Sequence, residues 1–265
     1  TEAYQVGGAA VEAAVRDPAV KGIWCVPKYS NPQGIVYSDA VVDRLAALRP
    51  AAPDFALMWD NAYCLHEVYG EFVPFRDMLT LCREAGNADM VYEFASTSKI
   101  TFPGAGVAVM AASEANLKYL SGLLGAQTIS YDKVNQLRHV RFLQDKAHVL
   151  ELMQRHAAIL RPKFEAVLAA LRGIAPLNIA SWTEPKGGYF VSCDAMPGTA
   201  KRTLALCAGA GVTMTPAGAT YPGGNDPADS NIRIAPSFPP VEELEQAMQI
   251  FCLALRMAAL EKLGI

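Results

Sequence analysis

One lysine in this sequence follows three hydroxyl residues and precedes a glycine-rich turn, in the segment Glu93-Phe94-Ala95-Ser96-Thr97-Ser98-Lys99-Ile100-Thr101-Phe102-Pro103-Gly104-Ala105-Gly106. The apolar residues 90–95 predict a buried strand that carries Ser96 to Lys99 at its carboxyl end, where ligands collect in α/β proteins. A lysine amine becomes a nucleophile when partial desolvation and polar neighbours lower its pKa. Lys99 is therefore the first candidate catalytic residue, although a solvated loop lysine would give the same short motif.

Two other predicted strands end in polar motifs. The apolar run Val20 to Val26 leads to Asn31-Pro32-Gln33-Gly34, and Phe55 to Trp59 leads to Asp60-Asn61-Ala62-Tyr63. Taken singly, these motifs are also typical of ordinary turns and solvated strand ends. Asp60 follows Asn31 by 29 residues and Lys99 follows Asp60 by 39, which is long enough for a crossover to a parallel strand. The spacing thus predicts that Asn31, Asp60 and Lys99 gather at one edge of a parallel sheet.

Taken together and in this order, the three motifs resemble those of fold-type I pyridoxal-phosphate enzymes. The resemblance implies pyridoxal 5'-phosphate as the cofactor and gives each motif residue a role. Lys99 would be linked to the cofactor aldehyde, Ser96 and Ser98 would contact its phosphate, Asp60 would pair with the pyridine nitrogen, and Asn31 and Tyr63 would hydrogen-bond the phenolic oxygen. The implied activity is that of an aminotransferase, with Lys99, Asp60 and Tyr63 as its catalytic residues.

Two cations are candidates for binding an amino-acid substrate. Arg233 lies in the short apolar run Asn231-Ile232-Arg233-Ile234-Ala235, and the resemblance implies that its planar fork grips the substrate α-carboxylate, beside Asn31. A surface ion pair is the alternative. For a second, distal carboxylate the resemblance implies a cation from a partner subunit, and Lys133 is the first candidate, with Arg138 and Lys186 behind it. A surface lysine at the start of a helix explains Lys133 equally well.

The sequence departs from the common aminotransferase pattern at one place. Many members carry a phosphate-binding arginine seven or eight residues after the lysine, where this chain has Gly106 and Val107. With this departure the motifs resemble the MocR-like subgroup, which includes divergent bacterial aspartate aminotransferases. The resemblance implies transamination between aspartate and 2-oxoglutarate; another amino donor, or a MocR-type ligand-sensing transcriptional regulator, remains an alternative. The glycine-rich cofactor loop and the ring-stacking aromatic of the subgroup lack a counterpart, so we expect an amino-terminal segment to be missing.

The order of predicted elements indicates an α/β protein with two domains. Residues 1–148 are expected to form part of a pyridoxal-phosphate-transferase large domain, a three-layer structure around a mostly parallel sheet. Residues 149–265 are expected to form a smaller α+β domain, with strands near Trp182, at Tyr189 to Cys193 and at Asn231 to Ala235. A helical tract from Val134 to Leu171, broken near Lys146, would connect the two.

Composition narrows the class of protein further. The net charge of −3 argues against nucleic-acid binding, no apolar run is long enough to span a membrane, and no basic start followed by an apolar core indicates a signal peptide. The six cysteines lack Cys-x-x-Cys spacing and are predicted to be reduced core residues, and His139, His148 and His156 are predicted to be ordinary polar positions, so no metal site is expected. The expected location is cytoplasmic, the expected assembly a homodimer, and the expected partners small-molecule amino and 2-oxo acids.

Overall fold

The computed structural model describes residues 9–265, which divide into two compact units. The first unit comprises the residues up to Lys28, Val36–Leu65 and Phe72–Leu152, and the second comprises Tyr29–Ile35, His66–Glu71 and Met153–Ile265. The domain boundary at 148/149 stays a prediction. The compact units differ from that single cut because two short segments, 29–35 and 66–71, group with the carboxyl-terminal part of the chain.

The first unit contains a four-stranded sheet in the order β1-β2-β3-β4. Its strands are β1 (Gly22–Cys25), β2 (Ala56–Asp60), β3 (Val91–Ser96) and β4 (Ala108–Ala112). The first three strands run parallel and β4 runs antiparallel to β3, so the predicted mixed α/β fold with a mostly parallel sheet is confirmed. Because β2 and β3 are parallel, their carboxyl ends lie at the same edge. Asp60 ends β2 at that edge, and Lys99 follows the end of β3 by three residues.

The helices of the first unit begin at side-chain caps. Residues 9–14 are helical, and they are followed by α1 (Asp39–Ala46), α2 (Met78–Glu84), a 3₁₀ turn (Ala88–Met90), α3 (Glu114–Gln127), α4 (Lys133–Leu143) and the first residues of α5 (Lys146–Ile174). Ser38 and Ser113, residue types that favour a helix start in sequence, each accept a hydrogen bond from a backbone N–H of the first turn. Asp77 and Asp132 cap α2 and α4 in the same way.

The sheet of the first unit is buried on one face. Successive residues of a strand point to opposite faces, so Leu57 and Trp59 turn the same way. Their face packs on α1 and α2 through the buried side chains Cys25, Val42, Leu45, Met78, Cys82 and Val91. An apolar run such as Val20 to Val26 favours a strand that is buried on both faces, but β1 is exposed on its other face, where Trp24 is 63% exposed. Among the described residues, that face of β1 is left open to solvent.

The second unit is an antiparallel sheet packed with helices, which is the α+β architecture predicted for the carboxyl-terminal part. The sheet has the order β5 (Ala180–Trp182), β6 (Val191–Ala195) and β7 (Asn231–Ile234). Its other elements are α5 from Met153 onward, α6 (Ala200–Gly209), α7 (Val241–Leu263) and 3₁₀ turns at Ala175–Leu177 and Pro222–Gly224. Fully buried side chains such as Phe164, Leu171, Ile232 and Phe251 form its core.

The cysteines belong to these cores. Five of the six are buried, Cys64 is half-buried, and all six thiols are free, as the sequence predicts. Burial raises the pKa of Cys193 to about 12 and that of Cys25 to about 11, so both thiols stay protonated at neutral pH. In residues 9–265, no helix combines the length and the apolar character needed to cross a bilayer.

Candidate active site

Hydrogen bonds between Thr97 and Val107 close the turn that carries Lys99. The Thr97 N–H donates to the Val107 carbonyl oxygen at 2.9 Å, and the Val107 N–H donates to Thr97 Oγ1 at 2.9 Å. The Thr97 carbonyl then accepts the N–H groups of Ile100 and Thr101 at 2.9 and 2.8 Å. Every polar group of Thr97 is therefore used to fix the turn, and the backbone on both sides of Ser98 and Lys99 has a defined path.

Lys99 itself lies at the surface of the first unit. Its Nζ stands 5.1 Å from the centre of the buried Tyr63 ring, close enough for a cation–π contact. The structure thus brings together two of the predicted site residues. Residues 9–265 leave the Lys99 side chain exposed. They therefore do not provide the partial desolvation that is expected for a nucleophilic lysine.

The same turn leaves no room for a side chain at position 106, one of the two positions where the arginine is absent. Gly106 lies so close to Ser98 that a Cβ at position 106 would stand 2.6 Å from Ser98 Oγ and 3.0 Å from its backbone nitrogen. Contacts this short are not tolerated, so any side chain here would displace Ser98. The tight approach keeps Ser98 next to the backbone of the turn, and Ser96 Oγ accepts the Ser98 N–H at 3.4 Å.

Asp60 is held at the end of β2 by two hydrogen bonds. Its Oδ1 accepts the Ala62 N–H at 3.1 Å, and its Oδ2 accepts the indole N–H of Trp24 at 3.3 Å. The Trp24 ring stacks on Phe94 of β3, with 5.9 Å between the ring centres. Sequence reasoning missed Trp24, which lies in the neighbouring strand and is identifiable only from the strand register. The carboxylate is thus fixed in place while its face of the sheet remains open at Trp24.

Asn61 attaches the Asp60 turn to β3. Its N–H donates to the Phe94 carbonyl oxygen at 2.8 Å, and its side-chain amide donates to the carboxyl group of Glu93. Burial raises the pKa of Glu93, and the charge of Asp77 raises it further, whereas the hydrogen bond from Asn61 opposes the shift. The turn from Asp60 to Tyr63 is therefore held to the strand that leads to Lys99.

In the second unit, Asn31 and Arg233 lie together. Arg233 donates from Nη1 to Asn31 Oδ1 at 3.1 Å and from Nη2 to Thr215 Oγ1 at 3.3 Å, and its guanidinium lies 4.7 Å above the Phe190 ring. Its Nε is buried and has no hydrogen-bond partner among the described residues. A fixed guanidinium with an unused buried donor is suited to bind a carboxylate. Thr215 and Phe190 were not predicted, because a loop threonine and a strand aromatic carry no specific signal.

The turn before Asn31 is packed tightly. Tyr29 is buried at a positive φ of 50°, and a Cβ at Gly187 would lie 2.7 Å from its ring. Burial raises the pKa of the Tyr29 phenol, and the adjacent carboxylate of Glu67 raises it further. A non-glycine residue holds such a backbone angle only where its surroundings enforce it. The packing of Tyr29 therefore fixes the start of the Asn31 turn.

The candidate distal cations lie in separate places. Lys133 is the exposed first residue of α4, next to its cap Asp132. Arg138 lies on the same helix, 5.7 Å above the Phe102 ring, and Lys186 of the second unit lies 5.6 Å above the Tyr69 ring. In the described part of the chain, no cluster of three His, Cys, Asp or Glu side chains could hold a metal ion.

The first unit thus has a mostly parallel sheet, with Asp60 at the end of β2 and the lysine turn after the neighbouring β3. The chain belongs to the family described as aspartate amino-transferase, whose model matches residues 8–264. It is 46% identical, over 95% of its length, to an aspartate aminotransferase of Corynebacterium glutamicum. It is 50% identical, over 93% of its length, to a protein of Mycolicibacterium smegmatis named as a candidate aminotransferase.

A solved aminotransferase structure has the same fold as this chain. The crystal structure of an aspartate transaminase from Corynebacterium glutamicum superimposes with a TM-score of 0.95 at 46% sequence identity, over 96% of this chain and 60% of that one. The chain likewise spans 58% of the Mycolicibacterium protein and 59% of the Corynebacterium enzyme. It therefore corresponds to somewhat more than half of each relative.

The contact between Gly106 and Ser98 predicts how this turn responds to one added methyl group. Gly106→Ala should lower the free energy of unfolding by about 1–3 kcal/mol, the usual cost of overpacking. Gly122→Ala is the matched control, because Gly122 lies inside α3 with open space around its Cα and alanine favours a helix by up to about 1 kcal/mol. Denaturant unfolding measures both, and hydrogen exchange should rise over residues 96–107 in the first variant alone. Equal stability of the two variants would contradict the close contact.

Proposed function

We propose that this protein is a pyridoxal-phosphate-dependent aminotransferase that moves an amino group between aspartate and 2-oxoglutarate. The observation that carries the proposal is the placement of Lys99 in a fixed turn beside the strand end that holds Asp60. The family and the 46% identity to an enzyme named aspartate aminotransferase support the same reaction. Nothing in residues 9–265 favours a ligand-sensing regulator over the enzyme.

The residues present fit the cofactor. The first unit offers an amine, a carboxylate, two hydroxyls and a phenol, on Lys99, Asp60, Ser96, Ser98 and Tyr63. The amine and the phenol ring lie 5.1 Å apart, and the tight packing of Gly106 holds Ser98 against the turn. Bound pyridoxal phosphate would supply an aldehyde that exchanges amines and a ring that withdraws electrons from the substrate α-carbon.

Each residue then has a task of its own. Lys99 would bind the cofactor through its amine and, when free, would carry the proton at the substrate α-carbon as general base and acid. The Asp60 carboxylate, which Trp24 holds in place, would pair with the pyridine nitrogen. Ser96 and Ser98 would hold the phosphate, and Tyr63 and, as the resemblance implies, Asn31 would hydrogen-bond the phenolic oxygen.

Substrate recognition is assigned to two cations. Arg233 binds the α-carboxylate, and the unused donor at its buried Nε supports this role. A dicarboxylate needs a second cation at its distal end. We assign that end to Lys133, which is exposed at the start of α4 and so is accessible to a second subunit.

The proposed assembly is a homodimer in the cytoplasm. Exposed large apolar side chains concentrate on and between α3 and α4, including Tyr119, Leu123, Ile129, Val134 and Val140. Such a concentration is typical of a surface that another chain covers. Six free thiols are consistent with a reducing compartment.

Sedimentation of the holoprotein should give the mass of two chains; a monomer that retains full activity would refute the dimer.

The decisive test of the function is to locate the cofactor. Borohydride reduction of the holoprotein, digestion and peptide mapping should place a pyridoxyl group on Lys99. Lys99→Ala should remove the label and the activity together, whereas Lys118→Ala, on the exposed surface of α3, should keep both. A label on another lysine would refute the assignment, and a labelled protein without aminotransferase activity toward any amino acid would refute the enzyme.

The substrate is tested at Lys133. Lys133→Ala should depress kcat/KM for aspartate far more than for alanine, because only aspartate carries a distal carboxylate for this cation to bind. Lys118→Ala again serves as the control. Equal losses for both donors would show that Lys133 does not bind the distal carboxylate. Faster turnover of an aromatic or aliphatic donor by the unmodified enzyme would overturn aspartate as the substrate.

A further inference from the structure

His139 of α4 is a buried polar residue for which the sequence predicted no role and which the proposed reaction does not use. It is 6% exposed, and both of its ring nitrogens have partners. Nε2 lies 2.9 Å from the Thr101 hydroxyl oxygen, and Nδ1 lies 2.9 Å from the Asn135 carbonyl oxygen. Thr101 belongs to the turn that carries Lys99, so the ring connects that turn to a helix 38 residues away.

The contacts assign the hydrogen positions. A carbonyl oxygen only accepts, so Nδ1 carries the ring hydrogen and donates it to Asn135. Nε2 then carries no hydrogen, and it accepts a hydrogen bond that the Thr101 hydroxyl donates. The same hydroxyl also donates to the Thr97 carbonyl oxygen at 3.1 Å, so its hydrogen is shared between that oxygen and the nearer His139 Nε2 at 2.9 Å.

His139 is part of a larger contact between α4 and the lysine turn. The Asn135 amide donates to the Ala105 carbonyl oxygen at 3.0 Å, and Arg138 lies over the Phe102 ring. Residues 135, 138 and 139 share one face of a helix because residues three and four apart are neighbours. This face therefore meets the turn at Thr101, Phe102 and Ala105, immediately after Lys99.

We propose that His139 is a positioning residue for Lys99, which it aligns by holding the Thr101 hydroxyl. The inference rests on the proposed function of Lys99. Thr101 is two residues from the lysine, and its backbone N–H already binds Thr97. A second attachment through its hydroxyl fixes the rotation of the turn, and small errors in the placement of a reacting group are costly in rate.

The experiment compares variants of the holoenzyme in which Lys99 has first been shown to carry the cofactor. His139→Phe fills the same space without a hydrogen bond. It should shift the pH midpoint of the cofactor absorbance by about half a unit or more. It should also lower kcat about tenfold, with KM for aspartate within about twofold. His139→Gln keeps an acceptor near the Nε2 position and should restore most of both properties.

Two further variants make the result specific. Thr101→Val removes the other partner and should reproduce the effect of His139→Phe, and the double variant should be no worse than either single one, because both remove the same bond. His148→Phe, on the first turn of α5, is the matched control and should behave like the unmodified enzyme. If His139→Phe cannot be purified, the spectrum and kcat of Thr101→Val test the positioning role by themselves.

The outcomes separate this inference from the proposed function. A cofactor on a lysine other than Lys99 refutes the function itself. With the cofactor on Lys99, a variant that loses only thermal stability, with absorbance titration and kcat unchanged, refutes the positioning role of His139. A spectral shift in His139→Phe that Thr101→Val reproduces and His139→Gln lacks supports the positioning role.

Discussion

The pair of hydrogen bonds between Thr97 and Val107 is the constraint on which the rest of the first unit depends. It closes the reversal between β3 and the antiparallel β4, and it leaves Ser98, Lys99 and Gly106 no freedom to move apart. The lysine can lie in an exposed loop and still have a defined backbone because this pair of hydrogen bonds is made within the turn. The Asp60 turn, attached through Asn61 to β3, takes its position from the same strand.

The second unit also holds a candidate site residue in place, but it does so through side-chain contacts to Arg233. Its guanidinium is held by one amide, one hydroxyl and one aromatic face, from Asn31, Thr215 and Phe190. The contacts use both terminal nitrogens and leave Nε as a buried donor. A buried donor without an acceptor is unfavourable by about 1–3 kcal/mol, so the Nε position favours an acceptor such as a carboxylate oxygen.

Much of this could be predicted from sequence because the signals are local. Strand ends at Asp60 and Ser96, caps at Ser38 and Ser113, and the break between α4 and α5 are each determined by a few neighbouring residues. The partners of the site residues could not be predicted in the same way. Trp24 meets Asp60 only through the register of β1 on β2, and His139 meets Thr101 only through the packing of a helix. The sequence shows Gly106 as a departure from the common aminotransferase pattern. Only the structure shows that its close approach to Ser98 leaves no room for a side chain.

The interleaving of the two units limits how this protein can be divided or recombined. Val68, 1% exposed in the core of the second unit, comes from the short segment 66–71, which is enclosed in sequence by the first unit. A fragment starting at residue 149 would lack this side chain and leave a void among Phe164, Val191 and their neighbours. Excision of the residues from 149 onward would therefore remove part of the second unit's own core. Substitutions at Val68 have to remain compatible with core side chains that lie far along the chain from it.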